Sequence, residues 1–291
     1  MNYLKRAIDS QNQWWKFIVV ILALFLSLFA LISPFFYLSD RFISYPSDSI
    51  QLLIEDVLFP FLVFLVVSII LIRILYKRSP SQVINGRKYI RFNKILSGML
   101  IWGLIMIVPF ILGYIAEPSS LELNFNLERF IPVFLVAIIV FPIQAGCEEF
   151  LFRGYLTQVF FGWSKSKFIA LIIPSIIFGA VHLGNPEINE YGLWPMMVTY
   201  IGLGMIFGLV SLIDGGIELA IGAHIIQNII AAVFVSYKSS ALEGLESVFH
   251  VENSPPESVL SSIMGIIFLG SVFIGILKWK YNWKIISILR N

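Results

Sequence analysis

Residues 130–155 read FIPVFLVAIIVFPIQAGCEEFLFRGY, an apolar run that continues directly into two carboxylates and a guanidinium. The run approaches the roughly 20 apolar residues that an α-helix needs to cross the hydrocarbon core of a membrane. Ionisable side chains are costly in that environment, so those found at depth usually face an internal cavity and mark function. We therefore expect a membrane-spanning helix that carries functional side chains and continues to about residue 161.

Eight apolar stretches of this kind follow one another along the chain. They are 17–38, 57–76, 95–116, 130–147, 168–182, 193–213, 217–235 and 258–279. Of the 291 residues, 58% are hydrophobic and only 13% are charged, well below the charged fraction of a soluble domain. The remaining connections are too short to form a second core. The sequence predicts one all-α, polytopic membrane helix bundle of about eight transmembrane helices.

The charged residues between these stretches alternate in sign. The mainly basic connections contain Lys5, Arg6, Lys16, Lys77, Arg78, Arg87, Lys88, Arg91, Lys94, Lys165, Lys167, Lys278, Lys280, Lys284 and Arg290. The mainly acidic connections contain Asp40, Asp48, Glu117, Glu122, Glu187, Glu190, Glu243, Glu246, Glu252 and Glu257, with Arg41, Arg129 and Lys238 as a basic minority. Because basic loops stay cytoplasmic, we expect a multi-pass protein of the cell membrane with both termini in the cytoplasm. The net charge of +2 gives no indication of a nucleic-acid partner.

Three polar clusters lie on the apolar stretches: the charged residues of 148–153, His182, and His224 with Asn228. Glu149 and Arg153 are four residues apart, so they share a helical face and can form an ion pair. Glu148 points about 100° away from Glu149 and needs another partner. Because Glu148 and His182 lie equally far from a predicted turn near Lys165, we expect them at similar depth and within reach of each other.

The third cluster lies on the seventh apolar stretch. His224 and Asn228 are four residues apart on one face of that helix. A buried carboxylate and a histidine that share a water molecule can activate it, whereas neutral His and Asn side chains can donate hydrogen bonds to an oxyanion. These residue types are suited to hydrolysis, although spacing alone does not bring the seventh helix to Glu148.

Two other chemistries use the same residues. Glu148, His182 and His224 could hold Zn²⁺ with a water molecule, but the HExxH signature of zinc proteases is absent. Cys147 could be a nucleophile, but it points about 100° away from Glu148. We therefore expect no cofactor, with zinc as the alternative. Of the remaining ionisable groups, His250, Asp214 and Glu218 are expected to be ordinary solvated residues.

The three clusters resemble the motifs of the CPBP family of intramembrane proteases, which includes the CAAX prenyl endopeptidases and the bacterial Abi proteins. Residues 148–153 (EEFLFR) resemble EExxxR, residues 178–182 (FGAVH) resemble FxxxH, and residues 224–228 (HIIQN) resemble HxxxN. The resemblance implies a helical bundle around a central polar cavity. It also implies that Glu148 and His182 activate water, that His224 and Asn228 stabilise the oxyanion, and that Glu149 and Arg153 are structural.

The resemblance also implies a division of the chain and a function. Residues 1–94 would be accessory helices with a basic loop, residues 95–240 the catalytic core, and residues 241–291 an acidic extracellular loop with the last helix and a basic tail. The expected activity is that of an endopeptidase of glutamic type, or else a metallopeptidase, acting in the bilayer on a membrane-associated or lipid-modified protein or peptide. The alternatives are a non-catalytic scaffold or bacteriocin-immunity protein of the same fold, and a transporter, which the lack of repeated halves disfavours.

Overall fold

The computed structural model describes residues 2–5, 12–116, 118, 121–123, 125–237, 239–243, 245–251 and 258–285. The helices in this part of the chain are α1 (Asn2–Lys5), α2 (Trp14–Phe42), α3 (Asp48–Leu75), α4 (Pro80–Asn85), α5 (Phe92–Ala116), α6 (Leu127–Ser164), α7 (Lys167–Val181), α8 (Glu187–Tyr191), α9 (Leu193–Asp214), α10 (Glu218–Phe234) and α11 (Val259–Tyr281). Of the charged residues used above to predict orientation, Arg6, Glu117, Lys238, Glu252, Glu257 and Arg290 lie outside the described residues.

Six of these helices are long and apolar enough to cross a membrane, namely α2, α3, α5, α6, α9 and α11. The fifth and seventh predicted segments form α7 and α10, which are apolar but shorter. The predicted all-α polytopic bundle is therefore confirmed, whereas the predicted count of eight spanning helices is not.

Three of the long helices and the shorter α10 widen into a π-helical turn. The turns are Leu28–Ile32 in α2, Leu53–Leu58 in α3, Phe150–Leu156 in α6 and Ile230–Phe234 in α10. The turn in α6 begins directly after Glu149, and the Thr157 hydroxyl donates to the Phe152 carbonyl over 3.0 Å at its end. Single π-helical turns inside α-helices are frequent at functional sites, and this one separates the two motif carboxylates from the helix that follows.

A small sheet covers one end of the bundle, where the sequence predicted only loops. Strand β3 (Phe249–Val251) lies between β1 (Leu121–Leu123), to which it is antiparallel, and β2 (Val235–Tyr237), to which it is parallel. The sheet partly buries His250, whose Nδ1 lies 3.0 Å from the Ser236 hydroxyl. His250 is therefore part of a folded sheet rather than an ordinary loop residue.

Helices α5 and α10 cross at two glycines that interlock their backbones. A Cβ atom at Gly98 would collide with the carbonyl oxygen of Leu219, and one at Gly222 would collide with that of Ile95. Small residues allow such close helix approach in a bilayer. The crossing fixes the position of α10, which carries His224 and Asn228.

The end of the bundle opposite the sheet contains a buried ionic cluster. Arg91 Nη2 lies 2.9 Å from Asp214 Oδ2 and 2.5 Å from Glu218 Oε2, and Lys94 pairs with the other oxygen of Asp214. Burial opposes the charged form of Arg91, but the bonds to both carboxylates outweigh it and raise the pKa of Arg91 above its ordinary value. The expectation that Asp214 and Glu218 are solvated is wrong, because their side chains are only 1% and 0% exposed.

Candidate active site

The three motifs meet at one cavity of about 1540 Å³ within the bundle. Helix α6 contributes Glu148, α7 contributes His182 at its end, and α10 contributes His224 and Asn228. Most other lining side chains are apolar, so the polar groups form a small patch in an otherwise apolar space. All four residues singled out from the sequence thus reach the same cavity.

Glu148 is buried in the cavity wall, beside Gln144 and His224. Gln144, one helical turn earlier, donates from Nε2 to Glu148 Oε1 over 2.6 Å. The other oxygen, Oε2, lies 3.5 Å from His224 Nε2 and has no hydrogen-bond partner among the described residues. A buried carboxylate oxygen without a donor is well suited to bind a water molecule or a substrate group.

His224 is oriented by the neighbouring carboxylate, Glu149. Its Nδ1 lies 2.8 Å from Glu149 Oε1, and because a carboxylate accepts, Nδ1 carries the proton. Arg153 Nη1 donates to the same oxygen over 2.8 Å, so the ion pair expected from the four-residue spacing is present. The guanidinium of Arg153 also lies over the ring of Phe178, 4.2 Å from its centroid. Glu149 therefore links Arg153 to the imidazole of His224.

His182 lines the same cavity from the end of α7. Its Nδ1 donates to the Phe178 carbonyl over 2.7 Å, which leaves Nε2 as the basic nitrogen of the neutral ring. Its ring stacks on Tyr200 with centroids 4.4 Å apart. The turn predicted near Lys165 is present, but no hydrogen bond or ion pair within the described structure joins His182 to Glu148. The histidine within ion-pair distance of Glu148 Oε2 is instead His224.

Gln144 is a site residue that the sequence analysis missed. Its Oε1 accepts from Asn228 Nδ2 over 2.6 Å while its Nε2 donates to Glu148. A chain of hydrogen bonds therefore runs from Asn228 through Gln144 to Glu148 and couples α10 to α6. The available signal was its position four residues before Glu148, on the same helical face and inside an apolar run.

The three side chains considered as zinc ligands, Glu148, His182 and His224, all line the cavity. Within the part of the chain that the structure describes, no three His, Cys, Asp or Glu side chains are grouped so that they could hold a metal ion. No hydrogen bond or ion pair within the described residues joins Glu148 to His182. Nδ1 of His224 is bonded to Glu149, an arrangement that is also usual for histidines that bind metal. Cys147 is buried and is not among the residues that line the cavity.

One comparison with known proteins covers the region that forms this candidate site. Residues 128–230 match a family model described as type II CAAX prenyl endopeptidase Rce1-like, and that range contains all three motifs. Over 212 residues the chain is 30% identical to a Bacillus subtilis (strain 168) protein named uncharacterized protein YyaK, covering 72% of this chain and 70% of that protein. No solved structure matches the chain.

Proposed function

Because this chain belongs to the Rce1-like family of type II CAAX prenyl endopeptidases, we propose that it is an intramembrane endopeptidase whose reacting groups are Glu148, His182, His224 and Asn228. The observation that carries the proposal is the convergence of these side chains, from three helices, on one largely apolar cavity. The substrate is a membrane-associated or lipid-modified protein or peptide, since an apolar cavity favours apolar chains.

In the proposed reaction, Glu148 and His182 activate the attacking water molecule. The unpartnered Glu148 Oε2 and the basic Nε2 of His182 both accept hydrogen bonds, so each can hold one hydrogen of the same water molecule. As the water oxygen attacks the peptide carbonyl carbon, its proton passes to Glu148. General-base assistance of this kind contributes about 10²–10⁴-fold in rate.

In the same reaction, Asn228 and His224 stabilise the oxyanion. The Asn228 amide has two N–H groups and donates one of them to Gln144, so the second can donate to the developing oxyanion. His224 receives the proton from Glu148 at Nε2, 3.5 Å away, and the Glu149 carboxylate at Nδ1 stabilises the resulting imidazolium. That Nε2–H then donates to the oxyanion and finally protonates the leaving amine.

The test is cleavage by the purified protein in lipid nanodiscs. The probes are a farnesylated, internally quenched peptide with a C-terminal CAAX sequence, the same peptide without the farnesyl group, and a randomised peptide library. We expect cleavage of at least one probe, with a loss of about 10²–10⁴-fold in Glu148→Gln and about 10²–10³-fold in Asn228→Ala. Glu128→Gln, at an exposed position of α6, is the matched control.

Two results would contradict the proposal. Cleavage by a folded Glu148→Gln variant at the wild-type rate would remove Glu148 from the reaction. Absence of cleavage of every probe by folded wild-type protein would favour the scaffold or immunity alternative. Chelators are expected to leave the rate unchanged, and a loss that added zinc reverses would replace the glutamic mechanism with a metal-dependent one.

A further inference from the structure

The cavity reaches the loops at the sheet end of the bundle and not the described connections at the opposite end, and this difference indicates where the substrate comes from. We propose that the site is loaded from the extracytoplasmic side of the membrane, by an extracytoplasmic segment of a membrane-anchored polypeptide. The identification of the occupant as a polypeptide rests on the proposed function. The inference about the side of access is independent of that function.

The lining residues reach the surface at the end of the bundle that carries the small sheet. Asn185 and Glu187 follow α7, Ala241 and Leu242 follow β2, and Phe249 belongs to β3. Ala241 N donates to Glu187 Oε1 over 2.8 Å, so these two loops are joined beside the cavity. The loops at the sheet end therefore form its rim.

Helices α5, α7 and α10 contribute lining residues mainly from their halves nearest the sheet, whereas α2 (21–28) and α6 (141–156) contribute them mainly from the other half. In α5 the lining runs from Trp102 to Ile111 of a helix that spans Phe92–Ala116, and in α10 it begins only at His224. In α7 it is confined to the last turns, from Ile177 onwards. The cavity thus runs from the sheet end past Glu148 to Tyr155 and Leu156 of α6, and none of its lining residues among those described belongs to the connections at the opposite end.

The opposite end is closed by α1, α4 and the aromatic residues beneath the patch. Tyr155 lines the cavity floor, and its hydroxyl lies 2.8 Å from that of Tyr76. The buried Tyr3 of α1 donates its hydroxyl hydrogen to the Arg153 carbonyl. Gln158 Nε2 donates to Val83 O of α4 over 2.9 Å. These contacts close the route to Glu148 from this end.

Charge assigns the two ends to the two sides of the membrane. The closed end carries the basic connection between α3 and α5, with Arg87 and Lys88, and the turn between α6 and α7, with Lys165. The sheet end carries acidic residues such as Glu190 and Glu243. Because basic loops remain cytoplasmic, the closed end is cytoplasmic and the open end is outside.

The lining chemistry favours an apolar segment that carries no negative charge. The carboxylates that line the cavity are Asp56, Glu148 and Glu187, and no Lys or Arg of the described residues lines it. An acidic segment would therefore be repelled, whereas a neutral or basic apolar one would not. Such a segment next to a membrane anchor can enter the apolar space from outside.

Cysteine accessibility tests the side of access without any enzymatic assay. The chain has one cysteine, so Cys147→Ala provides a background into which single cysteines are introduced. Ala231→Cys reports on the cavity, one turn beyond Asn228. Asn189→Cys reports on the exposed sheet end, and Lys88→Cys on the exposed basic end. Each variant is treated with a membrane-impermeant maleimide in intact cells and in inside-out vesicles.

We expect Ala231→Cys and Asn189→Cys to be labelled in intact cells and Lys88→Cys only in inside-out vesicles. Prior treatment with a permeant maleimide should block all three. Labelling of Ala231→Cys only in inside-out vesicles, in both preparations or in neither would overturn the proposal. Exchange of the two surface reporters would overturn it as well, because the orientation would be reversed.

A second measurement separates the side of access from the chemistry. A water-soluble, internally quenched apolar peptide with one lysine is added to sealed right-side-out and inside-out vesicles that contain the wild-type chain. We expect cleavage only in right-side-out vesicles, with none in Glu148→Gln. Cleavage only in inside-out vesicles would overturn external access. If the labelling is as expected but wild-type protein cleaves no peptide even in detergent, the proposed function fails while external access stands.

Discussion

His224 lies between two consecutive carboxylates of one helix, with Nε2 3.5 Å from Glu148 Oε2 and Nδ1 2.8 Å from Glu149 Oε1. Consecutive helical residues point about 100° apart, so one imidazole can contact both only by lying against the helix between them. One carboxylate therefore fixes the ring, while the other faces its second nitrogen.

The hydrogen bonds of Gln144 predict a positioning role. In Gln144→Leu, Glu148 loses a donor and Asn228 loses its acceptor. A hydrogen bond to a charged group is worth about 1.5–3 kcal/mol, which corresponds to a fall in kcat of about 10- to 150-fold. The Michaelis constant should change little, because Gln144 does not react with the substrate. Steady-state kinetics on a cleaved peptide measures both constants.

Ser211→Ala is the control for Gln144→Leu. Its buried hydroxyl donates only to Phe207 O of its own helix, over 2.7 Å, and does not line the cavity. The control should keep the wild-type kcat. An unchanged kcat in Gln144→Leu would show that the bridge between α6 and α10 does not position Glu148.

The Arg153–Glu149 pair predicts a large effect on stability. Glu149→Leu leaves the guanidinium of Arg153, which is 1% exposed, without its carboxylate. Removing one partner of a buried pair costs about 3–5 kcal/mol, whereas replacing both with apolar residues is often neutral. We expect Glu149→Leu to unfold at much lower denaturant and the double variant Glu149→Leu/Arg153→Met to recover most of the loss. Unfolding in mixed micelles followed by circular dichroism measures the difference, and equal loss in both variants would contradict it.

The interlocked glycines predict that a single methyl group disrupts the crossing of α5 and α10. Gly222→Ala places a Cβ against the Ile95 carbonyl, and such overpacking costs about 1–3 kcal/mol. Gly113→Ala in α5 is the matched control, because its Cβ would meet nothing within 4 Å. That control should be neutral or slightly stabilising. Thermal unfolding of the two variants distinguishes them, and similar midpoints would mean that the crossing yields easily.

The buried ionic cluster predicts that Arg91 stabilises the start of α10. In Arg91→Met, the fully buried Glu218 loses its cationic partner, for a cost of about 3 kcal/mol. Arg87→Met is the control, since Arg87 is exposed and its guanidinium contacts only the Tyr89 hydroxyl, at 3.5 Å. Limited proteolysis from the side of the membrane that carries this cluster should cut Arg91→Met faster than the control. Equal cutting rates would show that the cluster does not hold this connection.

Local patterns in the sequence were sufficient for some features of the fold and the site. Apolar run length located the long helices, and the four-residue spacing of Glu149 and Arg153 predicted their ion pair, because both depend on neighbours along one helix. The partner of Glu148 was not predictable in this way. His224 is 76 residues away, and its approach depends on how α10 packs against α6.

The features that were missed have the same physical origin. Asp214 and Glu218 are next to a Gly-Gly turn that looks exposed, and their cations Arg91 and Lys94 come from a connection more than 100 residues earlier. The three strands have three residues each, too few for an alternating pattern to be recognised. Length and hydropathy also predicted that the segments of α7 and α10 cross the membrane, whereas both helices are shorter than the six candidate spans.

The glycine crossing of α5 and α10 divides the cavity into a rigid half and an adaptable half. Backbone meets backbone at Gly98 and Gly222, so α10 cannot slide along its neighbour without breaking both contacts. The wall formed by α2 and α3 has no such lock at the cavity and carries side chains such as Leu24 and Phe61. Under the proposed function, we expect the wall formed by α2 and α3 to accommodate substrates of different bulk while His224 and Asn228 keep their positions.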